Sequence, residues 1–129
     1  MSELEVYTKD NAISVEKTNK TYVDYFLFDE YEIHLNKIPP LSIQEWHKHK
    51  KIEEVIVPIS GELYVEWVED GEVRSRVLKK GMIARVKNSI HTIENKSEEY
   101  AEFIVYRMVL SGDSKRDIIK NDKVIINVV

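Results

Sequence analysis

Apolar and polar residues alternate with a period of two along most of this chain, and that spacing predicts strands rather than helices. Tyr22-Val23-Asp24-Tyr25-Phe26-Leu27-Phe28 and Tyr31-Glu32-Ile33-His34-Leu35 are rich in aromatic and β-branched residues, which suit a pleated surface. Further strands are expected at 41–49, 54–60, 62–68, 73–78, 82–87, 90–95, 101–110 and 124–128. So many short strands, punctuated by turn residues, indicate a sandwich or a barrel. The sharpest hairpin signal runs from Leu63 to Leu78 and turns at Asp70-Gly71, a pair suited to the positive φ angles of a type I′ turn. A two-residue loop there pairs Val68 with Val73 and Trp67 with Arg74, the second a candidate cation–π contact. Only the stretch 113–122 has a helical flavour, and Pro39-Pro40 reads as a stiff bend between strands.

Four histidines occur, at 34, 47, 49 and 91. Residues two apart on a strand share a face, so His47 and His49 project together. Leu41, Ile43 and Glu45 have the same parity, which puts the pair on an inward row. Two imidazoles converging in an interior call for a metal ion. His34 alternates with Glu32 and Asn36, away from Tyr31, Ile33 and Leu35, and is expected at the surface. Arg107 shares the row of Ala101, Phe103, Val105 and Val109. An arginine on an apolar row needs a partner: Glu54, a neighbouring chain or an anionic substrate. Arg85 is expected to point outward and Trp46 to face away from the histidine pair.

The stretch from His47 to Gly61 reads HxH-x4-E-x6-G, with Glu54 as the carboxylate and Gly61 closing the following turn. It is similar to the first motif of the cupin superfamily. A second stretch opens at Gly81 and ends His91-Thr92-Ile93-Glu94-Asn95, resembling the second cupin motif. The resemblance implies an all-β fold, the double-stranded β-helix or jelly-roll barrel. It also implies one divalent transition metal ion (Fe, Mn, Ni, Co or Zn) held by His47, His49, Glu54 and His91. Glu53 competes with Glu54, but adjacent strand residues face opposite ways, and the spacing to Gly61 selects Glu54. Asn95 is expected to brace its turn rather than touch metal. The sequence departs from the pattern at Leu41, where the first motif usually begins with Gly. It also has Val86 and Asn88 in place of the second motif's Pro and Gly, where Asn88 can hold a tight turn at positive φ.

With 129 residues, one domain is expected: N-terminal strands over 1–38, a metal-motif core over 41–110 and a C-terminal extension over 111–129. Cysteine is absent, which excludes disulfides and thiol nucleophiles. The net charge is −4, and the one basic cluster, Lys48-His49-Lys50-Lys51, reads as a solvated turn, so nucleic acid is not an expected partner. No apolar run reaches the roughly 18 residues of a membrane span, and Met1-Ser2-Glu3-Leu4-Glu5 lacks the pattern of a secretory leader. A cytoplasmic location follows as the expectation. The aromatic surface of 22–35 suggests a homodimer.

The expected function is that of a metal-dependent enzyme acting on a small oxygen-rich molecule, such as a keto acid, sugar derivative or phenolic compound. The competing readings are a non-catalytic binding module or sensor for a small ligand, and a structural barrel with vestigial ligands. No phosphate loop, dinucleotide fingerprint or nucleophile motif is present.

Overall fold

The computed structural model describes residues 4–109 and 122–128. After a 3₁₀ turn at Lys9–Asn11 come β1 (Ile13–Glu16), β2 (Tyr22–Leu27), β3 (Tyr31–Ile38), β4 (Ser42–Ile43), β5 (His47–Lys48) and β6 (Glu53–Ser60). β7 (Glu62–Glu69), β8 (Glu72–Lys79), β9 (Ala84–Arg85), β10 (His91–Asn95), β11 (Ala101–Met108) and β12 (Val124–Ile125) follow. They form two six-stranded antiparallel sheets. One has the order β1-β2-β3-β11-β6-β9, and the other runs β12-β5-β10-β7-β8 with β4 also on β10. The alternation implies a sandwich or barrel, and the two sheets form the jelly roll that the cupin resemblance implies.

Two turns show how local chemistry sets the register. At Asp70-Gly71 both φ angles are positive, 53° and 77°, and the flanking pairs are Val68 with Val73 and Trp67 with Arg74. Arg74 turns to Glu69 at 3.3 Å and not to the indole, whose Nε1 donates to Glu69. Between β6 and β7, Gly61 sits at φ 79°, and a Cβ there would lie 2.8 Å from the Ala101 Cβ. Only glycine fits both the dihedral and the close approach.

The expected strand at 41–49 is broken into β4 and β5, each pairing with β10. Leu41 (72% exposed) and Ile43 (42%) face solvent while His47 and His49 are buried, so the common inward row does not extend back to Leu41. The break resets the alternation. The expected strand at 82–87 shrinks to Ala84–Arg85, and β1 is an edge strand that the alternation does not single out. The helical flavour at 113–122 falls almost wholly on residues outside the described ones.

The core gathers Ile38, Ile56, Leu63, Leu78, Val86, Ile93, Ala101, Phe103 and Val105. Across the inner face of the first sheet the rungs change character in order. Ile38 pairs with Ala101, Asn36 with Phe103, His34 with Val105 and Glu32 with Arg107; Arg107 pairs in turn with Glu54. One end of the barrel is therefore packed with apolar side chains and the other with polar ones. His34 is 4% exposed and Glu32 6%, which corrects the surface placement of His34. The outer face explains the error. Phe26, Ile33, Tyr106 and Val55 lie in register there, beside Leu35, Ile104 and Val57, so the apolar side of β3 faces out and its polar side faces in.

Candidate metal centre

The polar end holds four side chains from both sheets. His47 on β5 pairs with His91 on β10, and His49 follows two residues on, just past the strand. Glu54, near the start of β6, comes from the opposite sheet. All four are buried, and one donor atom from each lies within 4.8 Å of every other. The His47 and His91 ring centroids are 4.4 Å apart, and those of His47 and His49 are 5.0 Å apart. Glu53 points the other way, to Arg85, with oxygen contacts of 3.0 and 2.9 Å. Arg85 is exposed.

The hydrogen bonds around the rings specify which nitrogens face the centre. His47 Nδ1 lies 3.0 Å from the Glu45 carbonyl, and His91 Nδ1 3.0 Å from the Ser89 carbonyl. A carbonyl only accepts, so each Nδ1 carries a proton and each Nε2 is the nitrogen that faces inward. His47 Nε2 is buried with no hydrogen-bond partner among the described residues. Burial, followed by the neighbouring His91, pushes the His47 pKa down to about 3, so this ring is neutral at physiological pH. Its lone pair points toward Glu54 Oε2, 3.9 Å away.

Glu54 Oε2 is 3.0 Å from His91 Nε2, and its Oε1 is 3.0 Å from His49 Nε2. Burial alone would raise the Glu54 carboxyl. The contacts with His49 and His91 and the charge of Arg107 outweigh it and hold the group well below the usual carboxylate range. Arg107 Nε donates to Glu54 Oε1 at 2.7 Å, which is the partner its apolar row demanded. The carboxylate is thus an anion among three imidazoles, two of them fixed with Nε2 inward. Such contacts are favourable only with a cation between nitrogen and oxygen, either protons or a metal ion. One divalent transition metal ion satisfies the imidazole lone pairs and the carboxylate together, and three imidazoles with one carboxylate suit it chemically.

Residues around the centre complete it. Asp122, 4% exposed, accepts from the backbone N–H groups of Lys50 (2.7 Å) and Lys51 (2.9 Å). Its Oδ2 lies 3.7 Å from His49 Nδ1, which otherwise has no partner among the described residues. Nothing near position 122 in the sequence signals this, because the contact spans about 70 residues. Asn95 is fully buried and donates to the carbonyls of Ile38, Pro39 and Glu99; it braces its turn. Positive φ falls on Lys87 (52°) rather than on Asn88, and Leu41 adopts φ 53°.

A small cavity of about 70 Å³ opens beside His47, Glu54 and His91, and its other walls include Lys17, Tyr25, His34 and Asn36. His34 Nε2 is 2.8 Å from Glu32 Oε1, and the Tyr25 ring meets the imidazole edge-on at 4.5 Å. Burial pulls the His34 pKa down against the opposing effect of Glu32. A wider open groove of about 750 Å³, lined by Trp67, Leu78, Met82 and Val86, also reaches His91.

No family model matches the chain, and no curated protein matches it. Solved structures do. An oxalate oxidase in complex with the substrate analogue glycolate superposes with a TM-score of 0.65 at 17% identity, over 83% of this chain and 60% of the oxidase. A variant oxalate decarboxylase from B. subtilis gives 0.74 at 15% identity, over 98% of this chain and 34% of that one. The Lactobacillus farciminis oxalate decarboxylase formate complex gives 0.69 at 15%, over 93% and 35%. The two-sheet barrel is therefore a cupin fold. This chain spans about 60% of the oxidase and about a third of the decarboxylases.

Proposed function

We propose that this protein is a metal-dependent enzyme acting on a small organic acid, with His47, His49, Glu54 and His91 as the ligands of one divalent transition metal ion. The observation that carries the reading is the set of inward donors. Two histidines are committed by their Nδ1 hydrogen bonds to offering Nε2 toward one buried carboxylate, and a third imidazole joins them. The bound ion would supply Lewis acidity, holding and polarising an oxygen of the ligand. Arg107 fixes Glu54 in orientation, and the backbone carbonyls of Glu45 and Ser89 fix two of the rings. His34, oriented by Glu32, presents an imidazole to the same cavity. A space of about 70 Å³ equals the liquid volume of about two waters, which favours an acid of a few carbons over a sugar or a phenolic ring. The fold shared with enzymes named for oxalate supports the same class of ligand.

Elemental analysis of the purified or reconstituted chain should find close to one transition metal ion per chain. His47→Ala or His91→Ala should remove most of it, and His34→Ala should not. Glu54→Gln should weaken binding strongly, and Glu53→Gln should leave it nearly intact. Equal retention in all of these variants would overturn the assignment. The apolar outer face of β2, β3, β11 and β6 further supports a homodimer formed through that sheet.

A further inference from the structure

The cavity beside the metal centre is lined by three cationic side chains, Lys17, Arg107 and Lys123, and by two carboxylates, Glu45 and Glu54. Each carboxylate is engaged. Arg107 binds Glu54 at 2.7 Å, and Lys123 pairs with Glu45. Lys17 is left over. Its Nζ has one hydrogen-bond acceptor among the described residues, the amide oxygen of Gln44, at a long 3.4 Å. An ammonium group carries three donors, and a half-buried one that lacks an anionic partner is costly to keep.

The surroundings hold Lys17 in this position. Its backbone N–H donates to the Thr21 carbonyl at 2.8 Å, and its own carbonyl accepts from Lys20 at 2.8 Å, so the turn after β1 is closed on both sides. Gln44 is oriented by its Nε2 donating to Thr21 Oγ1 at 2.7 Å, which aims its Oε1 at the lysine. A long flexible side chain at the surface would ordinarily extend into water. This one instead lines the cavity that borders His47, Glu54 and His91.

We propose that Lys17 is the second anchor of the ligand, binding the carboxylate of a small hydroxy or oxo acid whose other oxygen faces the metal centre. The inference rests on the proposed metal site only for where the far end of the ligand lies. Lys17 acts as a specificity residue: it selects an anion over a neutral molecule of the same shape. One charge-assisted hydrogen bond to a carboxylate is worth roughly tenfold or more in affinity.

The test uses the full chain reconstituted with Co(II), and the chain without metal. Glycolate and its neutral counterpart glycolamide are titrated by calorimetry into wild type, Lys17→Gln, Lys17→Met and Lys17→Arg, with metal content measured in each. Glycolate affinity should fall at least about tenfold in the Gln and Met variants and be largely kept in Arg. Glycolamide should bind weakly and equally to all, and metal content should not change. Unaltered glycolate binding in both neutral variants would overturn the proposal, as would glycolamide binding as tightly as glycolate or wild type binding neither. If wild type holds no metal but still binds glycolate in a Lys17-dependent way, the anion site stands and the metal assignment falls.

Discussion

Leu41 is an exposed leucine in a left-handed conformation, with φ 53° and 72% of its surface open to water. The clash of Cβ with the following carbonyl costs a residue about 1–2 kcal/mol in this region, and glycine escapes it. Glycine also raises the entropy of the unfolded chain, by an amount somewhat smaller than the strain. Leu41→Gly should therefore stabilise the protein by about 0.5 kcal/mol, read as a higher denaturation midpoint at unchanged slope. Lys17 offers a second test at the scale of one side chain. Burial, reinforced by Lys123, pulls its pKa down to about 8, whereas an exposed lysine titrates near 10.4. Between those values the unfolded chain binds a proton that the folded one has released, so stability should rise with pH across that window. Lys17→Met should flatten the rise and melt higher than wild type at pH 7, as followed by thermal melting from pH 7 to 10.5. An unchanged profile in the variant would mean that the ammonium is not desolvated by the fold.

Strands, more than single residues, decide what is legible in such a chain. The Asp70-Gly71 hairpin could be read off the sequence to its pairing register, because a two-residue loop leaves no freedom. A strand sends neighbours to opposite faces, so only one of Glu53 and Glu54 can join the histidines, and the six-residue spacing to Gly61 selects Glu54. Parity misplaces His34 for an equally physical reason. The rule that apolar residues face the core fails on a sheet whose outer surface is apolar too, and parity alone does not say which side is in. The row running back from His47 to Leu41 failed at the break between β4 and β5. Lys17 and Asp122 were invisible because their contacts join distant segments. Asp122 just precedes β12, which pairs with β5, and its carboxylate fixes the backbone at Lys50 and Lys51 beside His49. Asp122→Ala should therefore lower metal affinity about 10-fold to 100-fold, the usual effect of a group that orients a ligand. The far-ultraviolet circular dichroism of the variant should stay strand-rich. Metal titration with a competing chelator measures the difference, and an unaltered affinity would show that the loop holds its shape without the clamp.

At the scale of the molecule, the first sheet is apolar on both faces over part of its width. The inner face packs the core; the outer one carries Phe26, Ile33, Leu35, Ile104 and Tyr106 in adjacent register positions. Contiguous apolar surface of this kind is a signature of association. Light scattering should give twice the mass of the 15.2 kDa chain at tens of micromolar. Leu35→Lys, which places a charge in the middle of the patch, should shift the protein toward monomer while metal content stays constant. A monomer in the wild type would refute the pairing.

The ordered change along the inner rungs, from Ile38 with Ala101 to Glu32 with Arg107, also separates two kinds of mutational load. Substitutions at the apolar end act on whether the chain folds. Changes at His34 or Asn36 act on the cavity they line, and because both are buried they also cost stability wherever a polar group is left unpaired. A barrel divided in this way can alter its ligand through two inward positions of one strand, provided that each change leaves no buried polar group without a partner.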